Sequence, residues 1–178
     1  LVTGEENLRR ALARGRGVVA VTGRIGCWEL LGAWLSEKGY RVSVIAGRLG
    51  NGALDSMLIG IRRRHGIESF YRGNPAAAGY GALRRGEILG MLADQNTDTE
   101  GIMAPFFGRP TLTPVGPAVF ALRSGAAVVP MAIHMQPGGT HQITILPELE
   151  HPPEELSEQD RRTALTCAIT AAIERLVR

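Results

Sequence analysis

Short apolar runs alternate with segments of helical periodicity along most of this chain, and that alternation constrains its fold more than any other feature. The apolar runs, such as 18–21 and 88–93, are almost uninterrupted, which is typical of strands covered on both faces. Strands that alternate with helices predict parallel pairing through crossover connections. We therefore predict an α/β fold, a three-layer sandwich with a mainly parallel (mixed) sheet flanked by helices.

The individual elements follow from the same pattern and from glycine and proline boundaries. We predict helices over residues 5–14, 28–38, 53–64, 76–85, 113–123 and 156–178. We predict strands over residues 18–21, 41–46, 67–71, 88–93, 127–134 and 142–146, the last two joined as a hairpin. Residues 94–112 are expected to be irregular. No repeat or linker divides the chain, so a single domain over residues 1–178 is predicted.

Composition narrows the range of functions. The net charge of +3 favours anionic partners such as phospholipid headgroups, and it is too weak to indicate nucleic acid. The cysteines, Cys27 and Cys167, match no metal or redox spacing and are predicted to be buried free thiols. The sequence has no run of about 18 apolar residues, the length that would predict a membrane span. Because the chain begins with Leu1 rather than Met, we expect a fragment that has lost an upstream anchor.

The turn after strand 18–21 carries the most informative polar residues, Arg24 and Glu29. On one continuous helix, side chains five positions apart point about 140° away from each other. The two converge only if residue 24 lies on the turn and Glu29 in the first helical turns, a bend that Gly23 and Gly26 permit. A general base and a carboxylate so placed could take a proton from a substrate hydroxyl.

The segment 94–112 is unusually long for a connection, which makes it a candidate functional segment. It begins with the polar residues Asp94, Gln95, Asn96 and Asp98. It continues with the adjacent Phe106 and Phe107 in a Gly/Pro context. These two rings either line a groove for an acyl chain or close the end of the sheet as core.

Four motifs in order resemble the lysophospholipid acyltransferase superfamily and, more closely, the lipid A biosynthesis (lauroyl/myristoyl) acyltransferases. Residues 24–29 match that family's His-Phe-Gly-Asn-Trp-Glu motif, with arginine in place of histidine. Residues 51–66 match an Asn-x-x-Leu-Asp segment that leads to a basic helix end. Residues 94–110 match Asp-Gln followed by Pro-Phe-Phe-Gly-x-Pro, and 128–130 match a valine-rich strand.

The resemblance implies a site. It gives Glu29 the role of supporting a catalytic histidine whose usual position is held by Arg24. It implies substrate-binding roles for Asn51, Arg64, Asp94, Gln95, Phe106, Phe107 and Gly108, with Arg64 on phosphates and the two phenylalanines in an acyl groove. It also implies that an N-terminal membrane-associated part and a C-terminal tail are missing.

The resemblance further implies an acyl carrier protein or acyl-CoA as donor and a lipid A precursor or related glycolipid as acceptor. It places the protein peripherally on the cytoplasmic face of a bacterial inner membrane. It implies neither a cofactor nor a metal, and no nucleic-acid partner.

Arg24 leaves three explanations open, because a guanidinium with a pKa above about 12 is no general base at neutral pH. The chain is a non-catalytic member in which Arg24 pairs with Glu29, or a histidine codon has changed by one base. Otherwise another group supplies the base, the candidates being His65, His134, His141 and His151, each expected to be an ordinary surface histidine.

Two other functions compete with acyl transfer. A homologue that binds acyl chains or anionic lipid without chemistry is favoured by Arg24. An NADP-binding oxidoreductase is suggested by Gly23 and Gly26 after a strand and by Arg48 after the next strand. That fingerprint lacks the spacing of its third glycine, and Trp28 and Glu29 would crowd a pyrophosphate.

Overall fold

The computed structural model describes residues 1–71, 76–95 and 100–178. Within these ranges the helices are α1 (Glu5–Leu12), α2 (Trp28–Glu37), α3 (Gly52–Arg64), α4 (Ala76–Arg84), α5 (Gly116–Ser124) and α6 (Glu158–Val177). The strands are β1 (Val2–Thr3), β2 (Val18–Thr22), β3 (Val42–Ala46), β4 (Glu68–Tyr71), β5 (Ile88–Leu92), β6 (Gly101–Phe106), β7 (Arg109–Pro114), β8 (Ala127–Met135) and β9 (His141–Ile145).

The main sheet has seven strands in the order β1-β9-β8-β2-β5-β3-β4. Its neighbouring strands run parallel except for the antiparallel pair β8 and β9. The predicted α/β fold with a mainly parallel, mixed sheet is confirmed. β6 and β7 form a separate two-stranded sheet.

The central strand β2 shows why the chain forms three layers. Val18 and Ala20 belong to a core cluster with residues of α1 and α2, whereas Val19 and Val21 belong to a cluster with residues of α4, α5 and α6. Successive strand residues point to opposite faces, so an uninterrupted apolar strand needs helices on both sides. The prediction from the apolar runs therefore has a direct physical basis.

The prediction of an irregular segment over 94–112 is wrong for its second half. β6 and β7 pair antiparallel, with Gly101 opposite Pro114 and Phe106 opposite Arg109. The reversal occurs at Phe107 and Gly108, whose φ angles are +49° and +73°. Two successive left-handed residues are the geometry of a two-residue hairpin turn. Asn96 and Asp98 lie outside the described residues.

Smaller differences concern element starts and the thiols. α5 begins at Gly116 rather than near 113, because residues 109–114 are strand, and Pro117 occupies its first turn. Cys27 is exposed rather than buried, since it lies on the turn that precedes α2, and Cys167 is half-buried. Among the described helices, none has the length and apolar character needed to cross a bilayer.

Candidate active site

Polar side chains collect where β2, β5 and β3 end, at one edge of the sheet. β5 lies between β2 and β3, and Thr22 is in register with Leu92. Arg24 and Asp94 follow those two residues at the same distance along the chain, so the register brings them side by side. Ligand sites of parallel α/β sheets form at this edge.

Asp94 holds residue 24 through its backbone and its side chain. The backbone N–H of Arg24 donates to Asp94 Oδ2 at 2.6 Å, and Arg24 Nη1 donates to Asp94 Oδ1 at 2.9 Å. Arg24 Nη2 also donates to Gln95 Oε1. A Cβ on Gly23 would lie 3.2 Å from the Asp94 carboxylate, so glycine leaves room for this approach.

The predicted ion pair between Arg24 and Glu29 is therefore wrong. Glu29 lies in the first turn of α2 and pairs with Arg62, which reaches it from α3. Arg62 Nε donates to Glu29 Oε2 at 2.9 Å, and the Arg62 side chain is only 12% exposed. Trp28 Nε1 donates to the same carboxylate at 3.2 Å. Arg24 and Glu29, the two charged residues of the motif, are thus each paired with a residue from another part of the chain.

Sequence reasoning missed Arg62 and selected Arg64 from the same basic run. Arg64 is exposed, two residues beyond Arg62 on α3. The signal that separates them is helical spacing: Arg62 is seven positions after Asp55, the buried residue of α3, so both lie on its inner face. Arg64 is rotated away from that face.

Below these charges lies a cavity of about 400 Å³ between α2 and the sheet. Its walls are mostly apolar and include Leu31, Gly32, Leu35, Val42, Ile88 and Met131. Its polar lining consists of Arg24, Glu29, Arg48, Arg62 and Gln95, together with Thr22 and Trp28. An apolar interior with a few polar groups at one end suits a ligand with a hydrocarbon tail and a polar head.

The loop before α3 brings Arg48 to this cavity. Asn51 caps α3, its Oδ1 accepting from the N–H groups of Ala53 at 3.0 Å and Leu54 at 3.2 Å. The buried Asp55 accepts from the N–H of Leu49 at 3.0 Å and lies 3.7 Å from Arg48 Nη1. Asn51 thus orders the helix start, and its substrate-binding role stays a prediction.

A family model for the bacterial lipid A biosynthesis acyltransferases matches residues 2–178. The chain belongs to this family. The resemblance inferred from the four motifs is thereby confirmed.

Curated relatives are named for a different glycolipid. The chain is 31% identical over 134 residues to a phosphatidylinositol mannoside acyltransferase of Mycobacterium tuberculosis (strain CDC 1551 / Oshkosh), a match over 73% of this chain and 42% of that protein. It is 26% identical over 149 residues to the protein of the same name from Mycolicibacterium smegmatis, over 82% of this chain and 49% of that protein. The chain spans about half the length of these relatives.

The family's Phe-Phe-Gly motif lies on the β6–β7 hairpin and does not line this cavity. Phe106 packs against the core cluster on the opposite face of the sheet. Phe107 is exposed, and its N–H donates to Glu174 of α6 at 2.6 Å. Gly108 completes the turn. The acyl-groove role of these residues stays a prediction, and Phe106 fits the alternative reading as core.

None of the four histidines, all of which lie in described parts of the chain, lines the cavity. His65 is exposed, His151 is partly exposed, and His134 and His141 are half-buried on β8 and β9. His151 Nε2 lies 3.0 Å from the carbonyl oxygen of Ala126, and partial burial lowers the pKa of its imidazole. The lining of the cavity therefore gives no support to a histidine as the base, and that explanation stays a prediction.

The glycines of the turn have packing roles that differ from a dinucleotide fingerprint. Gly26 has φ +56°, and a Cβ there would lie 2.1 Å from the carbonyl oxygen of Ile133. Gly23 makes room for Asp94. Both glycines thus let the turn pack tightly against neighbouring strands, which explains them without a bound pyrophosphate.

Proposed function

We propose that this chain holds a fatty acyl group in the cavity under α2 and serves acyl transfer to a hydroxyl of a glycolipid. The observation that carries the proposal is the cavity itself, with an apolar interior of about 400 Å³ and with Glu29 and residue 24 of the family motif at its polar end. A hydrocarbon tail buried there would leave its carboxyl end beside these two residues.

The relatives support a phosphorylated glycolipid of the phosphatidylinositol mannoside type as acceptor over a lipid A precursor. Three arginines at the cavity, Arg24, Arg48 and Arg62, suit a substrate with phosphate groups. Acyl-CoA and the phosphopantetheine arm of an acyl carrier protein both carry phosphate, so the same side chains fit either donor. Such an acceptor lies in a membrane, and we propose that the chain acts at the cytoplasmic face of the inner membrane.

In the proposed reaction the acceptor hydroxyl attacks the thioester carbonyl carbon. A C–O bond forms, the C–S bond breaks, and the hydroxyl proton passes through a base to the leaving thiolate. Arg24 stays protonated at neutral pH and cannot accept that proton. We therefore expect slow transfer in this chain, limited by deprotonation of the hydroxyl.

A second candidate function is acyl-lipid binding without transfer. It is favoured by the way Asp94 and Gln95 hold the Arg24 guanidinium, which gives residue 24 a structural role at the cavity. The two functions share the cavity and differ in whether the acyl group leaves it for an acceptor.

One experiment separates them. The chain and its Arg24→His variant are incubated with a radiolabelled long-chain acyl-CoA or acyl carrier protein, with phosphatidylinositol mannoside or a lipid A precursor as acceptor. Labelled glycolipid that increases in Arg24→His supports transfer. Label retained by both proteins without labelled glycolipid supports binding alone. If neither protein retains the label, the acyl-cavity proposal fails.

A further inference from the structure

One side of α3 carries large apolar side chains that the described residues leave about half exposed. Leu54 is 51% exposed and Met57 is 57% exposed. They are three positions apart, so they lie on one stripe of the helix, and the exposed Leu49 precedes them in the loop. Sequence periodicity puts Leu54 and Met57 on the same face as Leu58 and Ile61, but only the latter two are partly covered.

The packing of α3 explains why this side is uncovered. The fully buried residue of the helix is the polar Asp55, which is held by the loop before it. Arg62 is turned inward to Glu29. The inner face of α3 thus holds Asp55 and Arg62 together with Leu58, which lines the cavity, and Leu54 and Met57 are left on the outside. Contiguous apolar exposure beside a functional site is typical of an interaction surface.

Basic side chains surround these apolar residues. Arg64 is exposed at the end of α3, seven positions after Met57 and so on the same side of the helix, and it forms no salt bridge with a described residue. Arg48 is exposed in the preceding loop, 3.7 Å from Asp55. We call Leu49, Leu54, Met57 and Arg64 the α3 surface. Apolar residues flanked by arginines complement an anionic lipid bilayer, where the side chains insert and the charges meet headgroups.

The α3 surface is continuous with the cavity. Arg48, Leu49, Leu58 and Arg62 line the cavity, and they come from the same loop and helix. A lipid that passes from a bilayer into the cavity would therefore cross a short stretch of protein whose outer edge is apolar and basic.

We propose that the α3 surface docks this chain on an anionic lipid bilayer, with the cavity opening toward the headgroups. The proposal rests on the proposed function in one respect, since a lipid-binding cavity is what favours a bilayer over another occupant. Leu49, Leu54 and Met57 would insert at the boundary between headgroups and acyl chains, and Arg64 would contact lipid phosphates.

Sedimentation with vesicles tests the surface directly. The chain is mixed with phosphatidylcholine vesicles that contain or lack phosphatidylglycerol. We expect Leu54→Glu to weaken partitioning to the anionic vesicles by at least about tenfold. We expect Arg64→Gln to weaken it about fivefold, an effect that vanishes with neutral vesicles or at high salt.

Leu156→Glu is the matched control, because Leu156 is 42% exposed and precedes α6, away from the α3 surface. It should partition as the unchanged chain does. Circular dichroism on all variants checks that they are folded. We expect them to fold, because the substituted side chains are exposed. Equal weakening by Leu54→Glu and Leu156→Glu would overturn the proposal, as would no sedimentation of the unchanged chain.

Two further readouts separate this proposal from the proposed function and from other occupants. Retention of a water-soluble short-chain acyl-CoA reports on the cavity without a bilayer. If the chain binds vesicles but does not retain the acyl-CoA, the acyl cavity is wrong and the docking surface stands. If the chain retains the acyl-CoA but does not bind vesicles, the docking surface is wrong and the acyl cavity stands. A dimer in light scattering that Leu54→Glu dissociates would assign the surface to a second copy and overturn bilayer docking.

Discussion

Arg62 of α3 and Glu29 of α2 form a hydrogen-bonded ion pair at the cavity, although 33 positions separate them in the chain. The carboxylate of the acyltransferase motif is thereby oriented by an arginine from another element. Residue 24 is held separately, by Asp94. Two independent ion pairs thus shape the polar end of the cavity.

Replacing Arg24 with histidine should increase acyl transfer. A positioned general base contributes about 10²- to 10⁴-fold to the rate, and the imidazole would stand where the guanidinium now occupies the motif. Initial rates of labelled glycolipid formation measure the change. Arg24→Gln is the control, since it removes the charge without adding a base and should show no gain. An equal gain in both variants would contradict the missing-base account.

The pairing of Arg62 with Glu29 should appear as a coupling energy. In a double-mutant cycle of Arg62→Gln and Glu29→Gln, we expect about 1 kcal/mol or more of interaction in the free energy of unfolding. Urea titrations of the unchanged chain, the two single variants and the double variant measure this interaction energy. Arg64→Gln combined with Glu29→Gln should be additive, because the exposed Arg64 lies outside the pair. Additivity in both cycles would show that the contact contributes nothing to stability.

Gly32→Leu should shorten the acyl chain that the cavity accepts. Gly32 lines the cavity on α2, and a Cβ there would meet only Ile67 Cδ1, at 3.4 Å. Each methylene kept out of the cavity costs about 0.8 kcal/mol of binding, roughly fourfold in affinity. Displacement titrations with saturated fatty acids of increasing length measure the shift.

Gly60→Leu is the matched control for that change. Gly60 is also within a helix, does not line the cavity, and has no neighbour within 4 Å of a Cβ built there. Both variants gain helix propensity over glycine, about 0.5–1 kcal/mol each. The same length preference in Gly32→Leu and Gly60→Leu would locate the acyl chain elsewhere.

Gly26→Ala should destabilise the fold by at least about 1–3 kcal/mol, since its φ of +56° is left-handed and its Cβ would meet the Ile133 carbonyl oxygen at 2.1 Å. Gly47→Ala is the control, with open space around its Cβ and no left-handed φ. Thermal unfolding compares the two. A Gly26→Ala protein as stable as Gly47→Ala would mean that the turn adjusts freely.

Stability should fall on mild acidification, in part through His151. Partial burial lowers the pKa of its imidazole, so the folded state binds this proton less tightly than the unfolded chain does. The contribution of neutral His151 to the free energy of unfolding is present above the ordinary pKa of about 6.5. It is lost as the pH falls from there through the lowered pKa of the folded state. His151→Gln should flatten the dependence of the melting temperature on pH in this window. If the melting temperature of His151→Gln depends on pH as that of the unchanged chain does, the dependence comes from other groups.

The sequence predicted the central sheet well because its strands are buried on both faces and therefore carry uninterrupted apolar runs, as β2 and β5 do. It failed for residues 101–114, where β6 and β7 form a small separate sheet and half their residues are exposed or polar. A hairpin stabilised by its turn and by α6 leaves a weaker apolar pattern than a central strand does.

The site shows a similar division. The motif identified Glu29, Asp94 and Gln95, which lie at one edge of the sheet, Asp94 and Gln95 after β5 and Glu29 in the first turn of α2. It did not predict the ion pairs. Glu29 pairs with Arg62 rather than Arg64 because of the way α3 is rotated over α2. That rotation follows from the burial of Asp55, a tertiary contact that periodicity of apolar residues does not report.

The hydrogen bond from the backbone N–H of residue 24 to Asp94 does not depend on the side chain at that position. The turn can therefore keep its shape whether arginine or histidine occupies it. In evolutionary terms, a lineage could lose the base and later regain it through single substitutions, without rebuilding the surrounding scaffold. Position 24 of this chain is in this sense reversible, since its one exchangeable side chain stands on a backbone turn that Asp94 holds independently of it.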